Sequence, residues 1–190
     1  MMRIITGSAR GAKLQAPAGE HTRPTAERTK EAVFSMLQYS FEGRRVLDLF
    51  GGSGQLGLEA LSRGAAHATI VDNDKAAVDM IQKNAAHTKL SPRATVLRAD
   101  ALAFLSTYRG EPFHLVFLDP PYATDLVNRA LALIAEKNLL AVGGTVVCET
   151  GDADAVQGGI GKGRLEVVRR ARYGVAHITL LKSVAEEEVL

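Results

Sequence analysis

The sequence predicts an α/β fold, a doubly wound and mostly parallel sheet of seven strands, and three observations predict it. Short apolar runs alternate with amphipathic helical stretches from about residue 25 onward. One of those runs, Val46 to Phe50, passes directly into a glycine-rich turn that opens a helix. The last two runs follow each other with only a turn between them, so they pair antiparallel at the end of the sheet. At 190 residues and 46% hydrophobic, the chain holds one well-buried domain with room for a short N-terminal appendage.

Each element follows from local pattern. Thr25 to Ser40 places Val33, Phe34, Met36 and Leu37 on one side of a helix that Thr25 is placed to cap. Arg45 to Phe50 is a strand, and Gly54 to Arg63 a helix stopped by Gly64. Ala68 to Asp72 is the second strand. Lys75 to Thr88 aligns Ala77, Val78, Ile81 and Ala85 on one helical face, Ala94 to Arg98 is the third strand, and Asp100 is positioned to cap a helix through Tyr108. Phe113 to Leu118 is the fourth strand. It is ended by Asp119-Pro120-Pro121-Tyr122, because two prolines fix φ and supply no N–H to a ladder. Thr124 then caps a helix with the stripe Val127, Ala130, Leu131 and Ile134, and Thr145 to Glu149 is the fifth strand. Arg164 to Arg170 and Val175 to Leu181 form the antiparallel pair around Tyr173-Gly174, after a glycine-rich loop at 158–163. That loop is no phosphate-binding P-loop, since Lys162 is followed by Gly163.

Composition narrows the function classes. No apolar run reaches the roughly 18 residues of a membrane span, and the N-terminus lacks the pattern of a secretory signal, so a cytoplasmic protein is expected. The single cysteine, Cys148, excludes an internal disulfide and a thiolate cluster, and its apolar setting reads as a buried small hydrophobe. His21, His67, His87, His114 and His177 show no paired ligand spacing, so no metal is expected. The net charge of +2 is unevenly distributed: residues 1–30 carry +4 and the other 160 carry −2. Residues 1–24, with Gly7, Gly11, Pro17, Gly19 and Pro24, read as a basic arm or hairpin outside the sheet, ordered either by itself or on binding, and 25–190 as the main domain. A basic arm on a near-neutral body suits a polyanion, with a solvated tail as the alternative.

The glycine turn admits two ligand classes. Gly52-Ser53-Gly54-Gln55-Leu56-Gly57 matches the dinucleotide fingerprint, and Asp72 lies 20 residues after Gly52, at the end of the next strand, where a carboxylate binds ribose hydroxyls. Asp48 argues against a nicotinamide dinucleotide, because it would face the pyrophosphate. At about 6 Å such a pair of like charges costs roughly 0.7 kcal/mol in water and about 3 kcal/mol at an effective dielectric of 20. The same carboxylate favours a ligand with an ammonium and a sulfonium, as S-adenosylmethionine has. Asp72 then takes the ribose, and Asp100 is placed to accept from adenine's amino group, although Asp72 also reads as a turn residue and Asp100 as a cap.

These residues resemble the class I S-adenosylmethionine-dependent methyltransferases and, more narrowly, the bacterial guanine-N2 methyltransferases of 16S ribosomal RNA, the RsmD family. The resemblance rests on Arg3-Ile4-Ile5, Arg10-Gly11, Leu14, Arg23-Pro24-Thr25, Val33-Phe34, Met36-Leu37, Leu47 to Gly54, Gly57 to Ala65, and Asp119 to Tyr122. Gly52 stands for a usual alanine, Asp72 for a usual glutamate and Ala12 for a usual basic residue. The resemblance implies a Rossmann-like methyltransferase fold. It also implies a donor site at Asp48, Phe50, Gly51, Gly52, Ser53, Gly54, Asp72, Asp100 and Ala101, and phosphate contacts from Arg3, Arg10, Lys13, Arg23, Thr25 and Arg28. The partner implied is 16S rRNA or the assembling small ribosomal subunit, and the chain is expected to act as a monomer.

In the chemistry so implied, Asp119 and the carbonyl of Pro120 accept the two N–H bonds of an exocyclic amine, turning its lone pair toward the sulfonium methyl, while Tyr122 stacks on the base. Orientation of this kind contributes roughly 7–11 kcal/mol in favourable cases, and stacking roughly 1–3 kcal/mol. Asp119 is also placed to take the released proton. The tetrapeptide is shared with adenine-N6 methyltransferases of DNA, so the pocket alone leaves guanine and adenine both open. An enzyme on nicotinamide, or a noncatalytic binder, is the remaining alternative.

Overall fold

The computed structural model describes all residues except 1, 17–23, 38–40, 123, 158–163 and 185–190, and leaves out the side chains of 24–26 as well. The expectations for Arg23 and for the loop 158–163 therefore lie outside the described residues, as does the side chain of Thr25. In chain order the elements are α1 (Pro24–Leu37), β1 (Arg45–Asp48), α2 (Gln55–Ser62), β2 (His67–Asp72), α3 (Lys75–His87), a short 3-10 turn (Ser91–Arg93) and β3 (Ala94–Arg98). They continue with α4 (Ala101–Thr107), β4 (Phe113–Leu118), α5 (Leu126–Glu136), β5 (Leu140–Thr150), β6 (Leu165–Tyr173) and β7 (Ala176–Ser183). The seven strands form a sheet in the order β3-β2-β1-β4-β5-β7-β6. The mostly parallel α/β class with an antiparallel C-terminal end is what the alternation predicted.

By contacts the chain divides into two compact units, Met1–Asp100 and Ala101–Leu190. In the first, β1, β2 and β3 pair in parallel, with Asp48 opposite Ile70 and Asp72 opposite Arg98. Val46, Leu47, Ile70 and Val71 are buried in these strands, and Leu58, Leu61 and Ile81 bring α2 and α3 onto them. Residues 2–16 form an antiparallel turn of chain, with Arg3 opposite Lys13, Ile4 N–H donating to Ala12 O at 2.9 Å and Leu14 N–H to Met2 O at 2.9 Å. Ile4 and Leu14 are buried beneath it. Polar side chains of α2 and α3 hold this segment: Ile5 and Thr6 N–H donate to the two carboxylate oxygens of Glu59 at 2.8 and 3.0 Å, Ala9 N–H to Ser62 Oγ at 2.9 Å, and Gln15 N–H to Asn84 Oδ1 at 2.8 Å.

In the second unit β4 runs parallel to β5, β5 antiparallel to β7, and β7 antiparallel to β6. Phe113, Leu115, Phe117, Val146, Leu180 and Leu181 fill the sheet's interior positions, and Leu105, Leu131 and Ile134 cover them from α4 and α5. Three local expectations need correction. Helix α1 opens at Pro24, the favoured residue of a first turn, so Thr25 lies inside that turn and does not cap it. Helix α5 opens after Asp125, and the Thr124 hydroxyl instead donates to Pro121 O at 2.9 Å. Strand β5 begins at Leu140, five residues before the expected start, because Gly143, at φ 70°, lies within it and masks its period. Cys148 is fully buried, and desolvation pushes its thiol well above the usual range, as suits a packing residue.

Candidate functional site

The glycine turn between β1 and α2 belongs to the first unit. Gly52 and Gly54 have φ of 56° and 77°, in the left-handed region that costs any other residue strain. Side chains are also excluded by close packing, since a Cβ on Gly54 would lie 2.9 Å from Ile81 Cγ2 and one on Gly57 2.8 Å from Ile70 Cδ1. The turn is closed by Gly51 N–H donating to Val71 O at 2.9 Å and Gly54 N–H donating to Gly51 O at 2.6 Å. Glycine at 52 thus meets a conformational need where alanine would be strained.

The acids at the strand ends are differently placed. Asp48 is 1% exposed and accepts from Gly57 N–H at 3.0 Å, so it lies beneath the start of α2. Burial raises its pKa to about 7, opposed by the Gly57 bond and reinforced by the charge of Asp72. Asp72 is half-buried; its Oδ2 accepts from Gly52 N–H at 2.9 Å and its Oδ1 from Asp74 N–H at 2.9 Å. A carboxylate keeps further lone pairs after two such bonds, so Asp72 both shapes the turn and retains acceptor capacity. Asp100 is exposed at the end of this unit. Phe50 is partly exposed, whereas Ser53 is turned inward, its hydroxyl donating to Met2 Sδ at 2.9 Å and its carbonyl accepting from Asn84 Nδ2 at 2.9 Å. Turn, carboxylates and backbone N–H groups together fit a ligand carrying vicinal hydroxyls and positive charge.

Asp48 yields a pH prediction. A carboxyl whose folded pKa is raised stabilises the fold fully below its unfolded value, and that contribution is lost as pH rises through about 7. The ligand-free chain is therefore expected to lose stability between about pH 4 and 7, by up to about 1.4 kcal/mol per pH unit from this group. Asp48→Asn should flatten the slope. Denaturant titrations of both proteins across that range provide the check.

In the second unit, Ala101 is buried at the start of α4. β4 delivers the tetrapeptide: Asp119 is half-buried, Pro120 buried, Pro121 exposed, and Tyr122 46% exposed. The Tyr122 hydroxyl donates to Glu149 Oε1 at 3.2 Å. Desolvation, with the nearby charges of Glu149 and Asp119, raises the Tyr122 pKa to about 12, so the ring stays a neutral phenol suited to stacking. Burial raises the Glu149 carboxyl above its ordinary range, against the opposing effect of the Tyr122 bond. A cavity of about 420 Å³ adjoins these groups, lined among others by Pro120, Pro121, Tyr122 and Glu149. Its size falls within the range of small-molecule sites, roughly 300–1,000 Å³.

Glu149 is the residue that sequence reasoning overlooked. It ends the fifth strand as expected from the sequence and stands one residue before the end of β5, much as Asp48 and Asp72 end the first and second strands, and that signal was available. Of the expected basic residues, Arg3, Arg10 and Lys13 are exposed on the N-terminal turn of chain and Arg28 on α1, and Arg3 is ion-paired to Glu27 at 3.0 Å. Among the described residues no cluster of His, Cys, Asp and Glu is arranged to hold a metal ion, and no helix is long and apolar enough to cross a membrane.

The family model described as conserved hypothetical protein 95 matches residues 2–182. Ribosomal RNA small subunit methyltransferase D of Escherichia coli strain K12 is 40% identical over 74% of this chain and 70% of its own length. The Haemophilus influenzae protein of the same name is 39% identical over 78% of each chain. Among solved structures, yhhF from Escherichia coli superposes with a TM-score of 0.84 at 34% identity, covering 97% of this chain and 99% of that one.

Proposed function

Because the chain belongs to the conserved hypothetical protein 95 family, the family of ribosomal RNA small subunit methyltransferase D, we propose that it transfers a methyl group from S-adenosylmethionine to the exocyclic N2 of a guanine in 16S rRNA. The observation that carries this reading is the Asp119-Pro120-Pro121-Tyr122 turn at the end of β4, with its half-exposed, hydrogen-bonded aromatic ring beside a cavity. The names of its relatives support ribosomal RNA as the substrate and the small ribosomal subunit as its setting.

S-adenosylmethionine supplies an electrophilic methyl group. Its holders are the Gly51 to Gly54 turn and Asp72, with Asp48 adding negative charge below the turn and Asp100 accepting from the adenine. Asp119 and the Pro120 carbonyl accept the two N–H bonds of the target amine and so free its lone pair from conjugation with the ring. Asp119 takes the proton that the methylated amine releases. Tyr122 stacks on a base that has left its neighbours.

Arg3, Arg10, Lys13, Arg23 and Arg28 hold phosphates, with Arg23 presented by the rigid Pro24 beside it. Replacing Arg10 and Arg23 together with alanine should weaken RNA binding and lower the slope of log affinity against log salt by roughly 1–2, since one counterion fewer is released for each lost contact. An unchanged slope in filter binding would remove these residues from the interface. The donor assignment is tested by thermal shift: S-adenosylmethionine should stabilise the protein and NAD should not, and stabilisation by NAD alone would overturn it.

A further inference from the structure

We propose that Glu149 is the specificity-determining residue of the Asp-Pro-Pro-Tyr site, selecting a base that carries a ring N–H next to its amino group, which is guanine and not adenine. The inference rests on the proposed methyl transfer and concerns the base that the same site accepts. On guanine, the N2 amino group is flanked by N1–H, a donor. On adenine, the N6 amino group is flanked by N1, a lone pair. An ionised carboxylate only accepts hydrogen bonds, so it pairs with the first edge and repels the second.

Glu149 has the capacity and the fixed placement for this. Its Oε1 accepts from the Tyr122 hydroxyl at 3.2 Å, and its Oε2 has no hydrogen-bond partner among the described residues. Asp119 and Pro120 account for the amine in the proposed reaction, which leaves the neighbouring N–H in need of an acceptor. The cavity that Glu149 lines is the one bounded by Pro120, Pro121 and Tyr122. Position along β5 is set by Cys148, fully buried on one side, and by Thr150 on the other, whose hydroxyl donates to Asp152 O at 2.8 Å.

The wall beyond it is built to the same end. A Cβ on Gly151 would stand 3.0 Å from Tyr122 Cδ2, so the backbone passes close against the ring. Asn128 Nδ2 donates to Ala155 O at 2.8 Å, and Arg170 donates to Ala153 O at 2.8 Å and Val156 O at 2.9 Å, fastening the segment that follows. An exposed strand-end glutamate would have none of these supports.

The test compares methyl transfer by wild type, Glu149→Gln and Tyr122→Phe to two small-subunit RNAs, one with guanine and one with 2,6-diaminopurine at the target nucleotide. Diaminopurine keeps the 2-amino group but presents a lone pair at N1. Wild type should prefer guanine by on the order of 100-fold in kcat/KM. Glu149→Gln should lose guanine transfer and narrow the preference to about tenfold or less, because its amide N–H can donate to N1. Tyr122→Phe should slow transfer to both RNAs and keep the wild-type preference, with circular dichroism confirming that each variant is folded. A wild-type preference retained by Glu149→Gln would overturn the assignment, as would a preference lost equally in Tyr122→Phe, which would make Glu149 a support for the ring alone. Transfer by wild type to both RNAs without preference contradicts this inference only, whereas no transfer to either contradicts the underlying function and this inference with it.

Discussion

Asp119→Ala is expected to lower methyl transfer by about 10³-fold or more while leaving the affinity for S-adenosylmethionine unchanged. The residue follows β4 directly and is half-buried, so its carboxylate is positioned by a strand whose last four residues are all buried. In the proposed reaction alanine removes the acceptor that orients the amine and the group that takes its proton, effects worth roughly 7–11 kcal/mol in favourable cases and 10²–10⁴-fold respectively. In the proposed reading the donor is held chiefly by the Gly51 to Gly54 turn, Asp72 and Asp100, so its binding should survive. Single-turnover transfer together with equilibrium dialysis of the donor separates the two effects. Wild-type-like turnover by the variant would remove Asp119 from the chemistry.

The second large effect is on stability. Glu59→Ala is expected to cost about 3–5 kcal/mol, the range for breaking a buried ion pair from one side. Glu59 is completely buried and accepts from Ile5 and Thr6 N–H, from Arg63 Nε at 2.9 Å, and stands 3.8 Å from Lys30 Nζ. Lys30 is itself buried, 2% exposed at its side chain, and desolvation already lowers its pKa against the attraction of Glu59. With Glu59 gone, Lys30 keeps its bond to Arg3 O at 2.6 Å but loses its counter-charge. Two backbone N–H groups of the N-terminal segment lose their acceptor at the same time. The denaturation midpoint should fall sharply, and limited proteolysis should cut within residues 2–16 before the rest of the chain opens. Glu59→Gln should be milder, because it keeps an acceptor.

The parts of the fold that were legible in the sequence are those decided locally. Strand β4 and its end could be read because two prolines stop a ladder whatever surrounds them, and the turn after β1 because glycine is placed where φ is positive. The first five residues of β5 were not legible, since Gly143-Gly144 break the alternation, and pairing with β4 holds the strand at Leu140 and again from Thr145, with a register shift between. The N-terminal segment left a choice between hairpin and binding arm because its determinants, Glu59, Ser62 and Asn84, lie more than 50 residues away on α2 and α3. The candidate site residues divide in the same manner. Asp119, Tyr122 and the glycine turn announce themselves by neighbouring residues, whereas Glu149 gains its significance from a hydroxyl 27 residues earlier in the chain.

Asp48 shows how burial alters the properties of a residue that the sequence singles out. Its place at the end of β1 suggested an open carboxylate facing a cationic ligand, but the structure encloses it under Gly57 with a pKa near 7. Its charge therefore depends on pH in the working range, and a cation held by the turn above would favour ionisation.

Guanine-N2 transfer is checked by supplying the purified protein with methyl-labelled S-adenosylmethionine and unmodified 16S rRNA, free or in small-subunit particles, and identifying the product nucleoside by mass spectrometry. Label is expected in N2-methylguanosine at one position. Label in N6-methyladenosine, or no transfer to free RNA or particles, would contradict it.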